Sequence, residues 1–187
     1  MVNKIRTCVF ISGNGTNLKS LIKNSKKRKF PISVELVITN NKNAKGITVA
    51  KKNKISYKFI SSKNKMQFEK KSLIEIKKKK ITFICLAGFM VIFSKKFILN
   101  FDNKIVNIHP SLLPKFKGLN THKRVLDSKD KYSGCTVHFV NSLLDSGKIV
   151  LQRKVLIKKN ETEESLKRKI LRLEHIAYPQ AIFSIFE

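Results

Sequence analysis

Short apolar runs alternate with longer stretches of helical pattern along this 187-residue chain. The runs are rich in β-branched residues and mostly continuous, which is typical of parallel strands buried on both faces. Between them, apolar residues recur at helical spacing while lysines fill the other positions. The pattern predicts strands at residues 7–12, 34–39, 57–60, 81–86, 105–109, 136–140 and 149–155, and helices at 17–24, 44–53, 65–80 and 94–100.

The last segment of the chain predicts one further, amphipathic helix. It begins near Asn160 or Thr162, where a capping residue precedes two glutamates, and runs toward Phe186 with a kink at Pro179. Strands that alternate with helices are the signature of a parallel sheet covered by helices. We therefore predict an α/β fold with a Rossmann-like, doubly wound, mostly parallel seven-stranded sheet, helices on both faces, and a single domain over residues 1–187.

Basic residues strongly outnumber acidic ones, with 40 lysines and arginines against 12 aspartates and glutamates and a net charge of +28. Such a charge favours anionic partners, which include nucleic acid, membrane surfaces and small anions. The chain also holds 34 lysines, 22 isoleucines and 15 asparagines, all of which A- and T-rich codons encode. Two explanations stay open: a compositional bias that fills a solvated surface with lysine, and a charge selected for binding.

Apolar stretches and cysteines indicate the cellular location of the protein and the state of its thiols. No stretch reaches the roughly 18 apolar residues of a membrane span, so we expect a soluble, cytoplasmic protein. Cys8, Cys85 and Cys135 lie far apart within apolar runs, which predicts buried, reduced thiols. No cysteines or histidines have the spacing of a zinc site, so we expect no metal.

A glycine-rich loop follows the first predicted strand and opens the first helix, with the sequence Ser-Gly-Asn-Gly-Thr-Asn at residues 12–17. Glycines let the backbone approach an anion, and free amides at a helix start attract negative charge. The spacing differs from the dinucleotide-binding fingerprint. Taken alone, the loop fits both a phosphate site and a tight turn that needs glycine.

Asn107 and His109 end the fifth predicted strand, immediately before Pro110. Alternate residues of a strand face one side, and ligands of open α/β sheets bind at the carboxyl edge. Two such donors can stabilise a tetrahedral oxyanion. Asp145, in the turn before the seventh strand, would share this edge if the strands were parallel, and its carboxylate could hold His109 and carry a proton. Each residue alone also fits a turn or a cap.

In their order along the chain, these segments resemble the folate-dependent phosphoribosylglycinamide formyltransferases of purine biosynthesis. Residues 9–18 are similar to that family's phosphate loop, 86–90 to its folate-side segment, and 107–114 to its catalytic signature. Residues 134–147 resemble the segment with the catalytic aspartate, and the last helix resembles the family's own. The resemblance covers essentially the whole chain.

The resemblance implies transfer of the formyl group of 10-formyltetrahydrofolate to the amine of glycinamide ribonucleotide, without a covalent enzyme intermediate. It implies that Asn107 and His109 stabilise the oxyanion, that Asp145 positions His109 and relays the proton, and that His138 and Ser111 support them. The implied contacts of glycinamide ribonucleotide are Gly15, Thr16, Asn17 and Glu174. The implied folate contacts are Lys65, Phe89, Met90, Val91, Ile92, Phe93, Asn107, Val140, Asn141 and Leu144.

The resemblance also implies which partners to expect. They are the two small molecules, with no specific nucleic acid, no membrane and no metal, and the chain is expected to be a monomer or a weak homodimer. The sequence departs from the family at Val91, where many members have arginine, and at Lys65, near a position where an arginine can meet the folate tail. It also ends at Glu187, before a C-terminal β-hairpin that many members have.

Three other functions are alternatives. Methionyl-tRNA formyltransferase shares the fold and the catalytic motif but carries an additional C-terminal domain. Formyltetrahydrofolate deformylase shares the catalytic residues but usually has an N-terminal regulatory domain. A non-catalytic nucleic-acid-binding protein would explain the charge and would leave Asn107, His109 and Asp145 without a use.

Overall fold

The computed structural model describes residues 3–101 and 104–187. The strands are β1 Ile5–Ile11, β2 Ile32–Thr39, β3 Ser56–Phe59, β4 Phe83–Leu86, β5 Ile105–His109, β6 Tyr132–Phe139 and β7 Ile149–Leu156. The helices are α1 Thr16–Ser25, α2 Gly46–Lys52, α3 Lys65–Lys78, α4 Lys95–Leu99, α5 Thr121–Asp127 and α6 Glu163–Ile185. One mostly parallel sheet contains all seven strands in the order β3-β2-β1-β4-β5-β6-β7, which confirms the predicted α/β class.

The chain divides into two compact units, Met1–Val106 and Asn107–Glu187. The boundary falls inside β5, between Val106 and Asn107. The single domain that the sequence predicts stays a prediction.

The first unit contains four parallel strands. β1 pairs in parallel with β2 and with β4, and β2 pairs in parallel with β3. The last five residues of β1 are buried, as a continuous apolar run predicts for an interior strand. Because parallel strands end at the same edge of a sheet, the segments that follow Ile11, Thr39, Phe59 and Leu86 all leave from one edge.

Aromatic packing fixes the loop that follows β4 in the first unit. The ring of Phe10, on β1, lies 5.1 Å from that of Phe89 and 5.2 Å from that of Phe93, measured between centroids. Phe68, on α3, stacks against both rings of that loop, at 5.8 Å and 6.2 Å. These contacts anchor the segment 89–93 on the core by its two phenylalanines.

The second unit corrects one expectation, because β6 and β7 are antiparallel. Tyr132 lies opposite Leu156, and His138 lies opposite Ile149. β7 forms the edge of the sheet and none of its residues is fully buried, in contrast to the buried parallel strand that its apolar run indicated. β6 also begins four residues before the predicted start. Since the pair is antiparallel, the connection that contains Asp145 stays at the carboxyl end of β6.

Two helices complete the second unit. α6 begins as predicted, since the hydroxyl of Thr162 accepts a hydrogen bond from the amide of Ser165 at 3.2 Å and two glutamates occupy the first turn. It continues through Pro179. The sequence pattern did not predict α5, a short helix with two buried residues. The core between these helices and β6 contains Val125, Cys135, Leu166, Ile170 and Ala177.

Burial also explains the state of the cysteines. Cys8, Cys85 and Cys135 are buried and free of disulfides, as the sequence predicts. Burial raises the pKa of the Cys8 thiol well above its ordinary value, and burial followed by the charge of Glu174 raises the pKa of Cys135 to about 12. Among the described helices, none is long and apolar enough to cross a bilayer.

Candidate active site

The glycine-rich loop between β1 and α1 passes very close to the start of α2. Gly15 has a φ of +70°, and a Cβ at this position would lie 2.5 Å from the Cα of Gly46. The amide of Gly46 donates a hydrogen bond to the carbonyl of Gly13 at 3.1 Å. Glycine at position 15 is therefore required both for the left-handed backbone and for the close approach.

This loop leaves the amino end of α1 open to a ligand. No side chain caps the helix, and Gly15 occupies the N-cap position. The first amides of a helix have no partner within it, and the positive end of the helix dipole lies there. Gly15 and Asn17 are buried and Thr16 is half-buried, and their backbone amides lie at the start of α1. Such a site suits a phosphate group.

The predicted folate-side segment presents apolar side chains at the surface of the first unit. Met90 is 63% exposed and Ile92 is 59% exposed, while Phe93 is buried in the aromatic cluster. The ring of Phe93 therefore anchors the segment to the core of the first unit. Lys65 is the exposed first residue of α3. An exposed apolar surface on an anchored backbone suits a flat aromatic ligand.

In the second unit, Asp145 and His109 form a buried pair. The Oδ2 of Asp145 lies 3.3 Å from the Nδ1 of His109, and the two side chains are 9% and 7% exposed. Asp145 adopts a left-handed backbone with a φ of 44°, which aspartate tolerates better than most residues. Its Oδ2 also accepts a hydrogen bond from the amide of Gly118 at 2.9 Å. The aspartate is thus fixed from two sides, and the predicted contact with His109 is present.

The other ring nitrogen of His109 faces the backbone. Its Nε2 lies 2.9 Å from the carbonyl oxygen of Phe116, which can only accept. Since Asp145 and this carbonyl are both acceptors, both contacts are hydrogen bonds only when the ring carries both protons. The ring nitrogen that does not face Asp145 is therefore engaged with the carbonyl of Phe116 in this structure.

His138, on β6, orients the amide of Asn107. The Nδ1 of His138 lies 2.8 Å from the carbonyl of Phe139, so this nitrogen carries the proton. Burial lowers the pKa of His138 and so favours the neutral ring, opposed by the hydrogen bond to the Phe139 carbonyl and by the Asp145 charge. Its Nε2 then accepts a hydrogen bond from the Nδ2 of Asn107 at 3.3 Å. One amide hydrogen of Asn107 is held in this way, and the other is available to a ligand.

The remaining predicted residues of this unit lie on three segments. The hydroxyl of Ser111 donates to the carbonyl of Lys115 at 2.7 Å, so it holds the loop that follows His109. Glu174 is 7% exposed on α6. The three others follow β6 and are partly or fully exposed, namely Val140, Asn141 and Leu144. Among the described residues, no group of three histidine, cysteine, aspartate or glutamate side chains is placed to hold a metal ion.

Comparison with known protein families identifies the family of this chain. A family model described as formyl transferase matches residues 5–182. The chain belongs to the formyl transferase family. That match covers the glycine-rich loop, the cluster around His109 and most of α6.

Two kinds of curated relative are similar to this formyl transferase family member. The trifunctional purine biosynthetic protein adenosine-3 of Gallus gallus is 39% identical over 183 residues, and the match covers 96% of this chain but only 18% of that protein. The phosphoribosylglycinamide formyltransferase of Escherichia coli is 36% identical over 177 residues, and the match covers 93% of this chain and 84% of that protein. This chain thus spans less than a fifth of its trifunctional relatives.

Solved structures share the same fold over nearly the whole chain. Phosphoribosylglycinamide formyltransferase from Brucella melitensis superposes with a TM-score of 0.93 at 36% identity, covering 98% of this chain and 96% of that one. Glycinamide ribonucleotide transformylase 1 from Geobacillus kaustophilus superposes with a TM-score of 0.94 at 32% identity, covering 99% and 100%.

The sequence does not identify several residues that hold the site of this formyl transferase family member together. The hydroxyl of Thr136 donates to the carbonyl of Ser111 at 2.7 Å and accepts from the amide of Leu113 at 3.1 Å. Gln152, 39 residues from Leu113 in sequence, donates to its carbonyl at 2.8 Å. Arg124 donates to the carbonyl of Lys117 at 2.6 Å. These are long-range or backbone contacts with no local signature in the sequence.

Proposed function

We propose that this chain transfers the formyl group of 10-formyltetrahydrofolate to the amine of glycinamide ribonucleotide, the reaction after which its bacterial relatives are named. The observation that carries the proposal is the buried pair of Asp145 and His109, 3.3 Å apart, in a chain that covers 84% of the Escherichia coli enzyme. Such a pair suits general acid–base chemistry beside an oxyanion.

In the proposed reaction, the amine nitrogen bonds to the formyl carbon, and the bond from that carbon to N10 of the folate breaks. The formyl oxygen carries negative charge in the tetrahedral intermediate. The amine loses a proton and N10 gains one, so Asp145 and His109 relay a single proton and return to their starting state. No covalent bond to the protein is needed, because the substrate amine is the nucleophile.

Two donors are proposed to stabilise the intermediate. Asn107 has a second amide hydrogen beyond the one that faces His138. His109 offers Nε2 when the formyl oxygen takes the place of the Phe116 carbonyl, which now lies 2.9 Å from it. A single donor of this kind typically contributes about 2.7–4 kcal/mol to the reduction of the barrier.

The proposed substrate contacts follow the chemistry of each surface. Gly15, Thr16 and Asn17 bind the phosphate at the open end of α1, and Glu174 binds the sugar or amide end of glycinamide ribonucleotide. The proposed folate contacts are Lys65, Phe89, Met90, Val91, Ile92, Phe93, Asn107, Val140, Asn141 and Leu144. The net charge of +28 attracts both anionic substrates.

The proposed setting is the cytoplasm, with no membrane partner, no specific nucleic acid and no metal. We propose that the chain acts as a monomer or a weak homodimer.

A formyl-transfer assay that varies the acceptor tests the proposal. Product tetrahydrofolate is followed spectrophotometrically with glycinamide ribonucleotide, with charged methionyl-tRNA, and with water alone. We expect turnover only with glycinamide ribonucleotide, and we expect kcat to fall about 10²- to 10³-fold or more in His109→Ala and in Asp145→Asn. Asp127→Asn, the same change at an exposed position of α5, serves as the matched control and should retain full activity.

Each other outcome contradicts the proposal in a defined way. Turnover without an acceptor would make the chain a deformylase. Turnover with charged tRNA would make the basic surface functional and the acceptor the amine of an aminoacyl-tRNA. Wild-type rates in Asp145→Asn would remove the buried pair from the reaction.

A further inference from the structure

Ser12 uses all its polar atoms at the point where β1 ends. Its amide donates to the carbonyl of Gly88 at 3.0 Å, and its carbonyl accepts from the side chain of Asn41 at 3.1 Å. Its hydroxyl donates to the Oδ1 of Asn40 at 2.7 Å and accepts from the amide of Met90 at 3.0 Å. A hydroxyl has one proton, so the bond to Asn40 orients its lone pairs toward the Met90 amide.

These bonds are part of a hydrogen-bond network that runs along the carboxyl ends of the parallel strands of the first unit. Asn40, after β2, also donates from Nδ2 to the hydroxyl of Ser62, after β3, at 3.3 Å. Ser12 follows β1, and Met90 follows β4. Side chains and one backbone amide therefore link the loops of all four parallel strands, with Ser12 as the connection between β1 and β4.

The part of Ser12 that reaches residue 90 is separate from what holds the glycine-rich loop. The loop keeps its shape through the hydrogen bond from Gly46 to Gly13 and through the close contact of Gly15 with Gly46. Neither involves the hydroxyl of Ser12. In contrast, the backbone turn at 88–90 is bound to Ser12 twice, by its amide and by its hydroxyl.

The turn that Ser12 holds leads into the segment 89–93, whose exposed apolar side chains are Met90 and Ile92. Phe89 and Phe93 anchor the segment to the core by their rings, and Glu69 anchors its far end by accepting hydrogen bonds from the amide and hydroxyl of Ser94, both at 2.6 Å. Met90 is 63% exposed, so core packing does not fix it. The hydrogen bond to Ser12 sets its backbone.

We propose that Ser12, although it opens the glycine-rich loop, is a positioning residue for the folate donor, acting through the backbone of Met90. This inference rests on the proposed function, because it takes the segment 89–93 as the folate surface. It assigns the hydroxyl of the first loop residue to the second substrate, while the amides of residues 15–17 serve the phosphate.

The test separates the Michaelis constants of the two substrates. We expect Ser12→Ala to raise KM for 10-formyltetrahydrofolate about three- to tenfold, the effect of one lost hydrogen bond, while KM for glycinamide ribonucleotide stays within twofold. Ser12→Thr keeps the hydroxyl and should restore the wild-type value. Asn40→Ala removes the acceptor that orients the hydroxyl, and should raise the same constant by a smaller factor.

The opposite results overturn the proposal. A rise in KM for glycinamide ribonucleotide alone would assign the hydroxyl to the phosphate, and unchanged constants in Ser12→Ala would leave it without a role in binding. Calorimetric titration with tetrahydrofolate needs no turnover and gives the same comparison between wild type and Ser12→Ala. If the wild type binds tetrahydrofolate but transfers no formyl group to glycinamide ribonucleotide, the proposed reaction fails while the role of Ser12 is still decided by this titration.

Discussion

The glycine-rich loop of the first unit and the polar cluster of the second unit are built in opposite ways. The loop consists of backbone: an uncapped helix end, a left-handed Gly15, and a close approach to Gly46. The cluster consists of side chains from separate segments, with Asn107 and His109 on β5, His138 on β6 and Asp145 after it. The loop depends on the close contact of two backbone segments, and the cluster depends on side chains that the topology of the sheet brings together.

The difference determines what each region tolerates. A backbone site is sensitive to any side chain that changes its path and insensitive to most changes in side-chain chemistry. A side-chain cluster keeps its fold when one polar group is removed but loses the chemistry of that group. Substitutions in the loop should therefore affect stability and binding together, whereas substitutions in the cluster should affect mainly kcat.

Beyond the pair of Asp145 and His109, the largest effect is expected at Asn107. Asn107→Ala removes a proposed oxyanion donor, so kcat should fall about 10²- to 10³-fold, while the midpoint of thermal unfolding changes little because the side chain is only partly buried. Asn43→Ala, the same change at an exposed position, is the matched control. Steady-state kinetics and thermal unfolding measure both variants. Equal losses of kcat and stability would mean that Asn107 supports the fold rather than the reaction.

A smaller effect is expected in the loop. Gly15→Ala places a Cβ 2.5 Å from the Cα of Gly46 and forces alanine to a φ of +70°. We expect the free energy of unfolding to fall by about 1–3 kcal/mol and KM for glycinamide ribonucleotide to rise about tenfold or more. Gly13→Ala controls for stability, since a Cβ there meets nothing within 4 Å. If both variants lose the same stability, the close approach to Gly46 is not what shapes the loop.

Much of the fold was readable from the sequence because it depends on local pattern. β5 has its predicted bounds, and α6 begins after Thr162 as its capping residues indicate. The direction of β7 was not readable, because an apolar run has the same pattern whether its neighbour is parallel or antiparallel. α5 was missed because only two of its residues are buried, which gives too weak a helical period.

The sequence predicts the members of the cluster and the contact of Asp145 with His109, but not the backbone partners of this pair. The sequence places Asp145 at this edge on the condition that the strands are parallel. β6 and β7 are antiparallel, and the contact of Asp145 with His109 is present nonetheless. The carbonyl of Phe116 and the amide of Gly118 complete the pair, and backbone groups carry no signature in a sequence. The sequence shows which side chains can take part in acid–base chemistry. Their backbone partners are set by the folded path of the polypeptide.

The smallest effect is expected in the pH dependence of stability, which a titrating side chain of the cluster adds and the backbone of the loop does not. Burial lowers the pKa of His138 below its ordinary value of 6.5, an effect that His109 and Lys117 reinforce and Asp145 opposes. The unfolded chain therefore takes up this proton at higher pH than the folded chain, so the free energy of unfolding falls as pH drops below about 6.5. His138→Gln keeps an acceptor for Asn107 and cannot titrate, so its stability should fall less steeply.

Activity adds a second readout to this substitution. A protonated His138 cannot accept from Asn107, so the ratio of kcat in His138→Gln to kcat in the wild type should rise as pH falls from 7 toward 5. His122 offers the control, since burial also lowers its pKa, while the ring that faces Asn107 is that of His138. His122→Gln should change the pH dependence of stability and leave the kcat ratio flat. A flat ratio in both variants would show that the neutral ring of His138 does not orient the Asn107 amide during the reaction, and the contact between them would then serve only the fold.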